Sequence, residues 1–193
     1  NGKKKPISTY AKANLKAESE IFSLKNSSFR VNALRNSTLF GFSNTMRLDL
    51  VINIFVFNLI KKKQIFIDGD GKQFRPFISV NDILKIYSQI ISTHNMKSFI
   101  CNLVSFNATI SDIALNICKI LKVQKKLILF KGNFVDKRNY KVGSKTFKKH
   151  FGKNFKFSNF ASEIKSLGKN MKKFNTKKNI NTIRMKFYKR NLA

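Results

Sequence analysis

The stretch from Gly69 to Asp82, GDGKQFRPFISVND, restricts the fold of this chain more than any other. Asp68-Gly69-Asp70-Gly71 alternates aspartate with glycine, a composition that turns the backbone sharply because glycine reaches positive φ without a Cβ clash. β-forming runs flank it, Gln64 to Ile67 before and Phe74 to Val80 after, so the segment reads as an Asp-Gly turn closing a hairpin. Arg75 is a fixed cation at the start of the second run, and Asp82 is predicted to cap the next helix. Gly69-Asp70-Gly71 is not a dinucleotide-binding turn, since a strand follows it where that motif needs a helix. It is not a calcium loop either, because the remaining ligands and the distal glutamate are absent.

Elsewhere the chain alternates helical and extended runs. Ser8 or Thr9 caps a predicted helix that runs to Leu24, Phe29 to Leu34 reads as a strand, and Leu48 to Ile60 has helical length and spacing. A helix of about ten residues follows Asp82, Ser98 to Val104 reads as a buried strand, and Ser111 is predicted to cap Asp112 to Leu121. Leu127 to Phe130 is a short strand, and Ser144 to Phe151 and Ser158 to Phe174 are two further helices, the first stopped by Gly152. From Asn175 onward Lys, Asn and Thr dominate, which predicts a mobile basic tail. The alternation indicates an α/β protein. A doubly wound domain, however, opens on strand, glycine-rich turn and helix, and no G-x-G-x-x-G run stands anywhere in the sequence.

With 193 residues of which 42% are hydrophobic, the chain can bury a core. Its formal charge of +30 would ordinarily indicate a polyanionic partner. The excess is mostly Lys, accompanied by abundant Asn, Ile and Phe and no Trp, the pattern of AT-rich codon usage, which raises charge everywhere without shaping a groove. No RNA-binding aromatic motif, zinc-finger spacing or DNA-recognition helix accompanies it, so no specific nucleic acid is expected. Cys101 and Cys118 lack C-x-x-C spacing and stand apart from His94 and His150, so no metal site is implied; two buried, reduced thiols fit a cytoplasmic protein. The longest apolar run, Leu50 to Ile60, is interrupted by Asn53 and Asn58 and falls short of the ~20 residues that cross a bilayer. No signal peptide is visible, and the first residue is Asn1 rather than Met, so a native start is expected to be missing.

Four segments carry a resemblance: Pro6-Ile-Ser-Thr-Tyr10 with Glu18 eight residues on, Leu34-Arg35 through Leu39-Phe40-Gly41, Gly69 to Asp82, and Asp136-Lys137-Arg138-Asn139-Tyr140. In this order they resemble the extended short-chain dehydrogenase/reductase family, in its NAD-dependent epimerase/dehydratase branch acting on nucleotide sugars. The run from Met46 to Asn53 resembles the start of the substrate domain in some branches, and the whole likeness extends from Pro6 to about Leu167. It implies the C-terminal part of an NAD(P)-binding Rossmann fold with a smaller α/β substrate domain. Residues 1–40 and 76–104 would be the remainder of the Rossmann domain, 41–75 and 105–174 the substrate domain, and 175–193 the tail. The family's N-terminal portion, with the dinucleotide-binding glycines, would take on the order of 150 residues. The chain is therefore expected to be an N-terminally truncated fragment that binds no cofactor alone, NAD or NADP belonging to the full-length parent.

The resemblance further implies an epimerase, dehydratase or reductase that removes a hydride from the sugar to NAD(P), with Tyr10 as catalytic and cofactor-contacting residue. A free phenol has a pKa near 10 and needs a cation beside it to accept a proton near neutrality. The family supplies that cation from a lysine four residues after the tyrosine, and here the position is Asn14. Asn14 lies about 40° from Tyr10 around a helix, whereas Lys12 and Lys16 lie roughly 200° and 240° away, so neither replaces the charge. Asn14 can still contact the cofactor as a hydrogen-bonding group. Arg75 and Arg138 match positions that bind the diphosphate of the sugar nucleotide, where a planar guanidinium makes paired hydrogen bonds, and Asn53 resembles a polar substrate-loop position. A nucleoside-diphosphate sugar is the implied partner, and a homodimer is compatible with the family. Two other classes remain open: a non-catalytic binder of nucleotide sugars, favoured by Asn14, and a basic nucleic-acid-binding protein, favoured by charge alone.

Overall fold

The computed structural model describes residues 6, 8–44, 46–93, 96–132, 138–152 and 154–174. Within them the order is α1 (Thr9–Ser23), β1 (Asn32–Asn36), β2 (Thr38–Phe40), α2 (Val51–Lys62), β3 (Ile65–Asp68), β4 (Phe74–Ser79) and α3 (Val80–Ser92). There follow β5 (Phe99–Leu103), β6 (Phe106–Thr109), α4 (Ile110–Ile120), a 3-10 turn at Lys125–Leu127, β7 (Ile128–Lys131), α5 (Lys145–Phe151) and α6 (Phe160–Lys173). No helix among the described residues is long and apolar enough to cross a membrane.

The sheets organise around one event. β1 and β5 run parallel from Asn32 opposite Phe99 to Asn36 opposite Leu103. Beyond Ser37 the two paths separate and β4 enters between them. β2 pairs with it in parallel, Thr38 opposite Phe77, while β6 pairs with its other edge antiparallel, Phe77 opposite Phe106 and Arg75 opposite Ala108. Ser37 N–H still bonds Leu103 O at 3.1 Å, whereas Ser105 has passed to Phe77 O through both its N–H and its hydroxyl, each at 2.9 Å. Pro76, which has no N–H to give, pairs only with Asn107 on the β6 side, ahead of the point where β2 begins.

Alternation along β4 feeds two cores. Phe77 joins a cluster built from α2, α4, α6 and β3, including Ile52, Val56, Ile65, Ile113, Ile117 and Leu167. Ile78 joins a second cluster with Ile86 of α3, Phe99 and Leu103 of β5, and Phe147 and Phe151 of α5. Helix α1 differs from the others in having no buried residue. It is attached to β1 through an ion pair between Glu18 and Arg35.

Several local readings need correction. Residues 64–80 form no hairpin, because β3 pairs with β7 and β4 pairs with β2 and β6. Gly69 (φ 75°) and Gly71 (φ 67°) do make the turn. The Gly71 carbonyl lies against α4, where it accepts from Ser111 N–H at 3.0 Å, and a Cβ on Gly71 would fall 2.2 Å from Ser111 Oγ. The turn therefore docks a helix start instead of joining neighbouring strands. Asp82 is not the cap of α3: Ser79 is, its Oγ accepting from Asp82 N–H at 3.0 Å. Thr109, not Ser111, caps α4, accepting from Asp112 N–H at 3.0 Å. The predicted strand at Phe29–Leu34 begins three residues later at Asn32, and the short strands β2 and β6 had no sequence signal strong enough to separate them from loops. The 175–193 tail, Asp136 and His94 lie outside the described residues.

Candidate functional site

Where β4 lies between β2 and β6, two of the predicted site residues, Arg75 and Arg138, come together, while Tyr10, Asn14 and Asn53 have their contacts elsewhere. Arg75 lies near the start of β4 and is 9% exposed. Its Nη1 donates to Phe74 O at 2.8 Å and to the backbone carbonyl of Arg138. Its guanidinium lies over the ring of Tyr140, 5.5 Å from the centroid, an arrangement that planar, weakly hydrated arginine favours over lysine. The two arginines picked from the sequence are thus brought within the reach of one side chain, although 63 positions separate them. Arg138 itself is exposed.

The segment carrying Arg138 is held on the sheet by amides. Asn139 Oδ1 accepts from Phe74 N–H at 2.9 Å. Asn107 of β6 clasps Val142 from both sides, accepting its N–H at 2.8 Å and donating to its carbonyl at 3.1 Å. Such a clasp does for one residue what a neighbouring strand would do, and leaves neither backbone group unpaired. Lys141 Nζ covers the Phe74 ring at 3.9 Å. Neither Asn107 nor Asn139 was singled out as a functional residue from the sequence, where an asparagine in a turn and one that ties down a loop look alike.

Asn53 is buried in the first full turn of α2, and both ends of its amide are engaged. Oδ1 accepts from Gly41 N–H at 3.1 Å and Nδ2 donates to Arg47 O at 3.0 Å. It therefore fixes the loop between β2 and α2, which Gly41 enters at φ 127°, a conformation that L side chains rarely adopt.

Tyr10 stands in the first turn of α1, whose N-cap Ser8 accepts from Ala11 N–H at 3.2 Å. The tyrosine is 79% exposed. Asn14, four residues on, turns its amide back to donate to Tyr10 O at 3.0 Å. It thus serves the helix backbone.

The sequence matches the NAD dependent epimerase/dehydratase family over residues 1–101, more than half of the chain. The chain belongs to this family. No curated protein sequence matches it. Its fold is similar to those of solved members, at identities that show the fold alone. The dTDP-glucose 4,6-dehydratase of Bacillus anthracis, in complex with NAD, is 18% identical at a TM-score of 0.70, with 90% of this chain and 56% of that one covered. The UDP-glucuronic acid 4-epimerase of Bacillus cereus, in complex with UDP-glucuronic acid and NAD, is 18% identical at 0.70, with 90% and 58% covered. The UDP-N-acetylglucosamine 4-epimerase of Methanobrevibacter ruminantium, in complex with UDP-N-acetylmuramic acid, is 22% identical at 0.70, with 86% and 54% covered. This chain therefore spans under two thirds of the length of each, and the parallel α/β architecture expected of a Rossmann-type extended short-chain dehydrogenase is present over that portion.

Two further features of this epimerase/dehydratase chain bear on its chemistry. Burial pushes the Cys101 thiol up, against smaller opposing effects of a Thr146 hydrogen bond and of Arg35, and burial likewise raises Cys118. Raised, enclosed thiols are poor nucleophiles. Among the described residues no group of three or more His, Cys, Asp or Glu could hold a metal ion. What the site offers instead is guanidinium, amide and phenol, groups that bind and orient anions and hydroxyls.

Proposed function

We propose that this chain supplies the sugar-nucleotide side of an NAD(P)-dependent nucleotide-sugar epimerase, dehydratase or reductase. The observation that carries the reading is the meeting of Arg75 with the Arg138 backbone on the rim of the split sheet. Arg75 fixes the 138–142 segment, and Arg138 presents a second guanidinium to the diphosphate, where the fork can pair with two phosphate oxygens. In the same proposal Asn53 acts through the loop between β2 and α2, which its amide ties to Gly41 and Arg47. Membership of the family and the ligands of its structural neighbours, among them UDP-glucuronic acid, support this substrate class. The division into a nucleotide-side unit (1–40 and 76–104) and a substrate-side unit (41–75 and 105–174) belongs to the same proposal. The packing of Phe147 and Phe151 on β5 favours counting α5 with the first unit.

The residues present do not make a dinucleotide site by themselves. No glycine-rich turn stands in the sequence, and Asn14 spends its amide on Tyr10 O. NAD or NADP therefore enters only as the cofactor of a longer parent, with Tyr10 and Asn14 facing it there. Asn14 also favours a second reading, a nucleotide-sugar binder without turnover.

Calorimetric titration of the chain with several nucleoside-diphosphate sugars tests the first reading. Saturable binding should weaken by about 1–3 kcal/mol in Arg138→Lys, which keeps the charge and loses the fork. Equal affinity of the two proteins, or equal binding of unrelated polyanions, would reject it. A chimera that restores a related enzyme's glycine-rich half separates catalyst from binder. Asn14→Lys should then raise turnover about tenfold or more if Tyr10 handles the proton, and an unchanged pH profile would exclude that role.

A further inference from the structure

At the C-terminal end of α2, about 15 Å along the helix axis from Asn53, the first core opens into a cavity of roughly 380 Å³, within the range of small-molecule sites. Its floor is apolar, formed by Leu59, Leu121 and Leu127 among others, and every charged residue lining it is a lysine: Lys63, Lys165, Lys169 and Lys172. Lys165, Gly168, Lys169 and Lys172 follow one another at helical spacing along one stripe of α6. Gly168 is where α6 comes close to Leu121. It sits inside a helix, where glycine costs about 1 kcal/mol relative to alanine, and a Cβ there would already approach Leu121 Cδ2 to 3.3 Å.

The lysines are not all equivalent. Lys63 follows α2 and Lys172 lies in the last turn of α6, places where a cation answers the carbonyl end of a helix. Lys165 and Lys169 lie inside α6, away from any such need. An apolar floor beneath two cations without a helix-end role is complementary to a molecule that is greasy at one end and negative at the other. The chain itself cannot supply that anion from its last segment: residues 175–193 contain six basic residues and no acid.

We propose that this groove binds an amphipathic anion, a single hydrocarbon chain carrying one carboxylate or phosphate head, with the tail on Leu59, Leu121 and Leu127 and the head between Lys165 and Lys169. This site is separate from the sugar-nucleotide reading and does not depend on it. Titrating the chain with decyl phosphate, decanol and inorganic phosphate, each below any micelle-forming concentration, tests it. Decyl phosphate should bind saturably, with decanol and phosphate each weaker by about tenfold or more. Lys165→Glu combined with Lys169→Glu, two exposed positions, should weaken decyl phosphate by a similar factor. Absence of saturable binding, equal binding of decanol, or binding indifferent to the paired lysine change would overturn the proposal. So would capture of the chain by vesicles of anionic phospholipid without binding of the soluble amphiphile, an outcome that would indicate a membrane surface.

Discussion

Arg35 of β1 grips Glu18 of α1 in a two-pronged ion pair, Nε to Oε2 at 2.6 Å and Nη2 to Oε1 at 2.7 Å. The hydrogen bond to Glu18 is also what raises Arg35 above its ordinary value, ahead of the opposing effect of burial. Since α1 buries no side chain, its position on the sheet, and that of Tyr10 within it, depends on this contact more than on packing. Glu18→Gln should cost about 1 kcal/mol of local stability, discounted for the partial exposure of Arg35. Amide exchange in α1 should then quicken about fivefold while β5 stays protected. Unchanged protection of α1 would show that something else holds it.

Arg75 is held on three sides, by Phe74 O, by Arg138 O and by the Tyr140 ring. A lysine keeps the charge but cannot reach Phe74 O and Arg138 O while lying flat on Tyr140. Arg75→Lys should therefore loosen residues 138–142 and lower stability by about 1–2 kcal/mol. Arg138→Lys, at an exposed position, should lower the melting temperature less. Equal melting temperatures for both variants would refute the distinction.

Asp82 is 1% exposed and receives Ser158 twice, from N–H and from Oγ, each at 2.8 Å, with Lys85 Nζ at 3.5 Å. It ties the approach to α6 onto α3. Asp82→Ala leaves a half-buried N–H without its acceptor and should cost about 2 kcal/mol, whereas Ser158→Ala removes only the hydroxyl and should cost nearer 1 kcal/mol. Chemical denaturation of the two variants and their double should show less than additive loss. Additivity would mean that the residues act apart.

His150 of α5 stacks on Phe99, ring centroids 4.2 Å apart. Burial holds its pKa below the usual imidazole value, with Lys149 adding repulsion. The unfolded chain thus takes up this proton more readily than the folded one, so stability is complete above about pH 6.5 and is lost as pH falls through the unfolded and then the depressed folded value. Thermal melts between about pH 7.5 and 5.5 should show a fall that is smaller in His150→Gln. An identical slope in the variant would place the pH dependence elsewhere.

The helices were legible because their caps and apolar stripes are local. Even there Ser79-x-x-Asp82 and Thr109-x-x-Asp112 misled the reading: serine or threonine three residues before an acid is the cap signature, and the acid or a later serine had been chosen instead. Strand pairing was not legible. A turn at Gly69–Gly71 suggests that the runs beside it pair, but Ile65 and Ile67 are buried in the α2–α4 cluster and their strand finds β7, far along the chain. Arg75 and Arg138 stood out by residue type in a lysine-rich sequence. Asn107 did not, because only the folded arrangement puts Val142 opposite it.

Because Phe77 and Ile78 are neighbours on one strand yet belong to different clusters, neither half of the molecule owns β4. Withdrawing that strand would strip a wall from both interiors at once, so melting one half alone gains little conformational freedom before the other is exposed. Heat should therefore carry the chain through a single calorimetric transition, with calorimetric and van't Hoff enthalpies in agreement.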